Sequence, residues 1–207
     1  MRALIQGLDR LLRCIYDVYE FCAAPNCLFR LRMSRAPHVL PLPDGEVGAG
    51  APVVELHLWN EHIPRIPDEG PDIAWARRVH RMLIDSFQAV AVHIRHDPRL
   101  LNAQAVGGVT VLLTVGDPSG GKSLMRRLGF TVLPYHTPLG RFGEFWENFY
   151  TWMLIWTFNT ASLRQRRLLR LRRSEVWMSA EEFLRRYERA SGVKHSERVL
   201  TADCEAS

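Results

Sequence analysis

Val109-Thr110-Val111-Leu112-Leu113-Thr114-Val115-Gly116-Asp117-Pro118-Ser119-Gly120-Gly121-Lys122-Ser123 is the stretch whose conformation separates two folds. Residues 116 to 123 satisfy the phosphate-loop pattern G-x-x-x-x-G-K-S/T, and the apolar run before them reads as a feeding strand. As such a loop, its glycines would let backbone N–H groups approach phosphate oxygens. Lys122 would reach the terminal phosphates and the Ser123 hydroxyl would hold a magnesium ion. Three features of the surrounding chain count against it. The helix that would anchor the phosphates is confined to Ser123–Leu128 before Gly129-Phe130, under two turns. The acidic magnesium ligand on a later strand is missing, because the only aspartate after position 123 is Asp203. The rest of the chain offers no further parallel strands for a nucleotide-binding sheet. The stretch is therefore read as a Gly/Pro/Ser loop, with Lys122 solvated and no nucleotide site.

Outward from that loop the chain alternates between helical and strand periods. Residues 2–21 place Leu4, Ile5, Leu8, Leu11, Leu12, Ile15, Val18 and Tyr19 on one helical face. Residues 28–33, 39–42 and 53–59 alternate as strands, with turn chemistry at Asp44-Gly45, and together read as an antiparallel meander. After a Pro-rich loop, Asp72 reads as the N-cap of a long helix to His96. Its apolar face runs through Ile73, Ala76, Val79, Leu83, Phe87, Val90 and Ile94. A buried strand over 106–115, a short helix over 123–128 and a strand over 130–133 follow. A helix over 145–163, a short strand over 175–178 and a helix over 180–190 complete the order. Ser179 and Glu182 have the spacing of a capping box for that last helix.

The fold class is thus α+β. With 207 residues, 47% hydrophobic and 24% charged, the chain is long enough for one core without staples. Residues 1–192 read as a single domain with an aromatic and basic helical insertion at about 140–173, and 193–207 as a polar disordered tail. The four cysteines, Cys14, Cys22, Cys27 and Cys204, fit no zinc spacing and follow no secretory signal. Reduced thiols in a bacterial-type cytoplasm are the expectation.

The net charge of +5 is local, concentrated at Arg164, Arg166, Arg167, Arg170, Arg172 and Arg173. The cluster follows an aromatic run that includes Trp152 and Trp156. Rings beside arginines suit acyl chains and anionic headgroups, so Trp152, Trp156, Arg166, Arg167 and Arg170 are candidates for lipid contact at the inner face of a membrane. The apolar run is too short to span one. A helix packed on the sheet is the other reading, and nucleic acid is not expected, since a stacking platform needs an exposed flat sheet.

If there is a catalytic site, its centre is His57. Glu55, His57 and Trp59 share one strand face, and Asn60 and His62 lie just beyond the strand end, so carboxylate, imidazole and amide can converge at one mouth. His57 is the candidate base and Glu55 its partner. Glu175 and Trp177 share another strand face and are candidates to line the same cleft. A half-buried histidine satisfied by a neighbour is the competing reading.

The order of elements resembles the acetyltransferase fold called GNAT over roughly residues 1–135. The resemblance implies an acyl-coenzyme A cofactor whose pyrophosphate sits between the fourth strand and the next helix, on a Q/R-x-x-G-x-G/A motif. Here Asn60 to Pro71 reads Asn-Glu-His-Ile-Pro-Arg-Ile-Pro-Asp-Glu-Gly-Pro, without the motif and with three prolines that donate no N–H. Met125 stands four residues before the glycine of Leu128-Gly129-Phe130, where many such enzymes carry a tyrosine general acid. At the level of sequence, Met1-Arg2-Ala3-Leu4, Asn26 to Arg32, Glu55 to Asn60, Gly108-Val109-Thr110, Leu128-Gly129-Phe130, Glu175 to Ser179 and Arg186-Tyr187 together resemble the YkoP-like domain family. Its members occur alone or attached to polysaccharide deacetylases, which implies an envelope context and a deacetylase partner. The deacetylase metal set does not transfer, since His93 and His96 are one residue short of His-x-x-x-His. Two functions stay open: an acyltransferase-like enzyme for an envelope lipid or sugar, and a non-catalytic accessory module.

Overall fold

The computed structural model describes residues 16–65, 67, 69–70, 72–110, 118–135 and 173–188. These form an α+β fold: strands β1 (Phe29–Arg35), β2 (Leu40–Leu42), β3 (Gly45–Val47) and β4 (Pro52–Leu58), helix α1 (Ile73–His96), strand β5 (Ala105–Thr110), helix α2 (Pro118–Arg127), and strands β6 (Thr131–Pro134) and β7 (Ser174–Ser179). A last helix, α3, covers 180–188. The expected opening helix over 2–21 as far as residue 15, the expected helix over 145–163, the tail and the arginine cluster up to residue 172 lie outside the described residues.

The principal sheet has the order β1-β4-β5-β7-β6. Only β4 and β5 run parallel, and the other neighbours are antiparallel. A parallel pair needs a long crossover, and the 24 residues of α1 supply it. Alternation gives this sheet two faces. On one, Leu31, Val54, Val106, Val176 and Met178 pack against α1 and α3 around Phe87, Phe130, Phe183 and Tyr187. Phe87 is the hub, with ring centroids of Phe29, Phe130, Phe183 and Tyr187 between 5.0 and 5.9 Å away. On the opposite face, Leu40, Leu42 and Val47 cover Val53, Ala105 and Trp177.

That second contact corrects the expected meander. Residues 40–42 pair with 45–47 in a separate two-stranded sheet, and β1 pairs directly with β4. Asp44-Gly45 turns this small hairpin, Gly45 having φ of 142°. Alternation at Leu40 and Leu42 is real, but their apolar side is buried on the sheet's face and not within its plane.

Two helical boundaries and the buried face of α1 also differ from expectation. The opening helix does not reach residue 21, because Tyr16-Asp17 form a turn with Asp17 at φ of 52° and Tyr19 bridges Leu31. In α1, Ile73 is 72% exposed and Ala76 is exposed, so the first turn stands off the core, whereas Val79 packs against it and full burial begins at Met82. The phosphate-loop look-alike is helical from Pro118, which suits a first helical turn because its absent N–H is not needed there. Gly120 and Gly121 therefore belong to a helix, with Lys122 exposed on it. Burial of Met125 and Leu128, with Leu124 packed against the same core, outweighs the roughly 1 kcal/mol that each helical glycine costs.

Leu128-Gly129-Phe130 ends α2 as a Schellman cap: the Phe130 N–H donates to Met125 O and the Gly129 N–H to Arg126 O, with Gly129 at φ of 95°. Arg186 and Tyr187 of α3 finish the same end, donating to the carbonyls of Arg127 and Leu128 at 2.6 and 2.7 Å. Ser179 caps α3 by accepting from Glu182 N–H, but Glu182 turns to Arg185, so the capping box has one arm.

Candidate functional site

The half of the second face left uncovered by the hairpin is polar. Register places Arg30 opposite His57 and Arg32 opposite Glu55, so these four side chains leave the sheet on one side. His57 Nε2 lies 3.3 Å from Glu55 Oε2, and Arg32 Nη1 lies 3.5 Å from the same oxygen. Burial pushes the Glu55 carboxyl up, but contacts with His57, Ser34 and Arg32 outweigh it and hold the group below its ordinary value. Glu55 is thus an anion at neutral pH. The His57 nitrogen faces it at ion-pair distance, a contact that favours the Glu55 anion, but Nε2 is shielded from solvent and makes no well-formed hydrogen bond. The side chain as a whole is 39% exposed. An orphaned polar atom in a half-open side chain is uncommon, and such atoms concentrate where chemistry or a ligand will satisfy them.

The same stretch is where the sheet opens. Pairing between β4 and β5 ends at Glu55 and Gly107, although β4 continues to Leu58 and β5 to Thr110. β5 keeps its pairing with β7 all the way to Thr110, while its ladder with β4 stops with Gly108 still lying against the Leu56 backbone. Gly108, at φ of 152°, is where β5 changes course. Gly107 is required for a different reason. A Cβ there would stand 2.0 Å from Val176 O and 2.6 Å from Trp177 Cε3, so the missing side chain is what seats the indole.

Trp59, Asn60 and His62 follow β4, the last two within one 3-10 turn. Trp59 is the middle of a stack, with the Arg30 guanidinium 4.4 Å from its ring on one side and the His62 ring at 3.8 Å on the other. Arg30 is buried between Glu20 and Glu61 at 3.2 and 3.6 Å. The His62 Nδ1–H donates to Cys27 O at 2.7 Å, which ties that ring to the residues before β1. Trp59 and His62 therefore brace the end of β4, and His57 and Glu55 are the pair the structure brings together.

Glu175 and Trp177 lie on the same sheet face, two strands from Glu55, in a cluster of their own. Glu175 is 2% exposed; it accepts from Trp177 Nε1 at 2.8 Å and faces His38 Nε2 at 3.1 and 3.2 Å. His38 escaped the sequence reading because it sits in a short Pro-containing connection with nothing local to mark it. Its partner is 137 residues away. Trp152, Trp156, Arg166, Arg167 and Arg170 lie outside the described residues.

The acyl-coenzyme A implied by the GNAT resemblance meets a poor fit at the start of α1. The Asp72 side chain accepts from Trp75 N–H at 2.7 Å, placing a carboxylate where a pyrophosphate would need free amides. Among the described residues no group of His, Cys, Asp and Glu is arranged to hold a metal, and no helix is long and apolar enough to cross a membrane.

No curated protein and no solved structure matches this sequence or its fold. A family profile described as the YkoP domain matches residues 1–187. The match runs from the opening segment through the His57 strand, the Schellman-capped α2 and the helix that completes its cap, and on it the chain belongs to the YkoP domain family.

Proposed function

We propose that this YkoP-domain protein is an acyltransferase-like enzyme in which His57, oriented by ionised Glu55, acts as general base at the opening between β4 and β5. The observation that carries this reading is the orphaned His57 nitrogen beside a carboxylate held as an anion, at the point where the parallel ladder stops. With Nε2 turned to Glu55, Nδ1 is the nitrogen that takes the proton. In the step proposed, the oxygen or nitrogen of an acceptor hydroxyl or amine bonds to the carbonyl carbon of an acyl thioester. The C–S bond breaks, and the acceptor's proton passes through His57 to the leaving sulfur. The sheet order, with one parallel pair at its centre, supports the acyltransferase comparison. Asp72 argues that the donor is not gripped by a pyrophosphate. An acceptor on an envelope lipid or sugar, beside a polysaccharide deacetylase, fits what the family resemblance implies.

Thiol release from an acyl-pantetheine thioester in the presence of a hydroxyl or amine acceptor tests this. Release above the buffer rate is expected, falling by about 10² to 10⁴ in His57→Gln, with acyl-coenzyme A no better than the shorter thioester. Wild-type release at the buffer rate with every acceptor leaves the second reading, a non-catalytic accessory module, which the carboxylate-capped α1 favours. Lipid contact through Trp152, Trp156, Arg166, Arg167 and Arg170 belongs to the same proposal. It requires salt-sensitive sedimentation with anionic vesicles, and equal sedimentation with neutral ones would remove it.

A further inference from the structure

We infer that His38 and Glu175 form a charged latch holding the β2–β3 hairpin over the Trp177 half of the sheet face, and that loss of the His38 proton loosens that cover. The inference is independent of the acyl-transfer reading. His38 Nδ1 lies 2.9 Å from Val39 O, a carbonyl that can only accept, so Nδ1 carries a hydrogen. Nε2 lies 3.1 and 3.2 Å from the two Glu175 oxygens. A neutral imidazole has one N–H and cannot serve both partners, so the ring is an imidazolium facing a carboxylate. The raised proton affinity of His38, caused first by the Val39 carbonyl and then by Glu175, agrees with that geometry.

The latch has a place to act. His38 stands two residues before Leu40, which with Leu42 and Val47 forms the apolar underside of the hairpin. The Glu175 side chain is buried on β7, whereas 46% of the His38 side chain is exposed, so solvent reaches the proton without unfolding the sheet. Among the described residues Glu175 is the charged group within ion-pair distance of His38. A second side-chain tie of the hairpin to β7, Ser179 Oγ donating to Asp44 Oδ2, involves no group that titrates near neutrality. When His38 loses its proton, a lone pair faces the buried carboxylate, or the ring abandons Val39. Either way one end of the hairpin is released, and what it uncovers is the indole beside Gly107, in the row that leads to Glu55.

Hydrogen–deuterium exchange of the full chain at about pH 6 and about pH 9, corrected for the intrinsic pH dependence of exchange, tests the latch. In the wild type, protection over 36–47 should fall by roughly tenfold for each unit by which folding raises the His38 value, while 83–94 of α1 holds. His38→Gln should show the lower protection at both pH values with no step. A wild type without the step, or a His38→Gln that keeps it, overturns the latch. Glu175→Gln supplies a second reading by ring-proton NMR. His38 should then titrate at lower pH than in the wild type, and an unmoved titration overturns the pairing.

Discussion

Among the described residues two histidine–glutamate pairs lie on one sheet face, and they are built in opposite ways. His38 and Glu175 come from distant parts of the chain and leave nothing unsatisfied: both imidazole nitrogens meet an acceptor, and the buried carboxylate has two donors. His57 and Glu55 are near neighbours on one strand, half open to solvent, and meet at ion-pair distance without a well-formed hydrogen bond. A fully satisfied buried pair stabilises and specifies; a partly satisfied open one is available for chemistry. On the function proposed above, structure falls to the first pair and reactivity to the second.

The largest effect should come from dismantling the satisfied pair through its third member. Trp177 is 1% exposed and donates to Glu175, so Trp177→Ala leaves both a cavity and a carboxylate short of a donor. A loss of about 3–5 kcal/mol by denaturant unfolding is expected, and a loss under about 1 kcal/mol would mean that the cluster is not a keystone. Next comes pH. The folded value of His38 is raised above 6.5, so its stabilisation is complete below that value and disappears as pH rises through the folded one. The wild type should therefore lose melting temperature relative to His38→Gln on going from mildly acidic to alkaline buffer. Parallel curves for the two proteins would detach the pair from stability.

Much of this arrangement was legible in the sequence. Alternation placed Glu55, His57 and Trp59 on one face, because a period of two is a property of any strand whatever it pairs with. Asp72 announced α1 by its side-chain chemistry, and it does accept from Trp75. What alternation cannot show is which surface an apolar side will cover. Leu40 and Leu42 read as a meander strand, whereas they lie across the face and leave β1 to pair with β4. The glycines at 120 and 121 read as a loop because their intrinsic preference opposes a helix, and only tertiary burial further along α2 reverses it. His38 had no local signal, since its meaning comes from Glu175 across the fold. The orphaned state of His57 was equally hidden, because spacing brings it beside Glu55 but does not fix the angle at which they meet.

Thermal melting of His57→Gln beside His38→Gln, in one mildly acidic buffer, tests the division of labour most directly. His38→Gln leaves Glu175 buried with a single donor, and a loss of about 1–3 kcal/mol corresponds to a fall of roughly 2–12 °C for a chain of this size. His57→Gln removes only a half-exposed contact to Glu55, which Arg32 still meets, and should melt within about 2 °C of the wild type, consistent with a change of under about 0.5 kcal/mol. If His57→Gln instead melts as low as His38→Gln or lower, His57 is a structural residue and the open pair is not the working one.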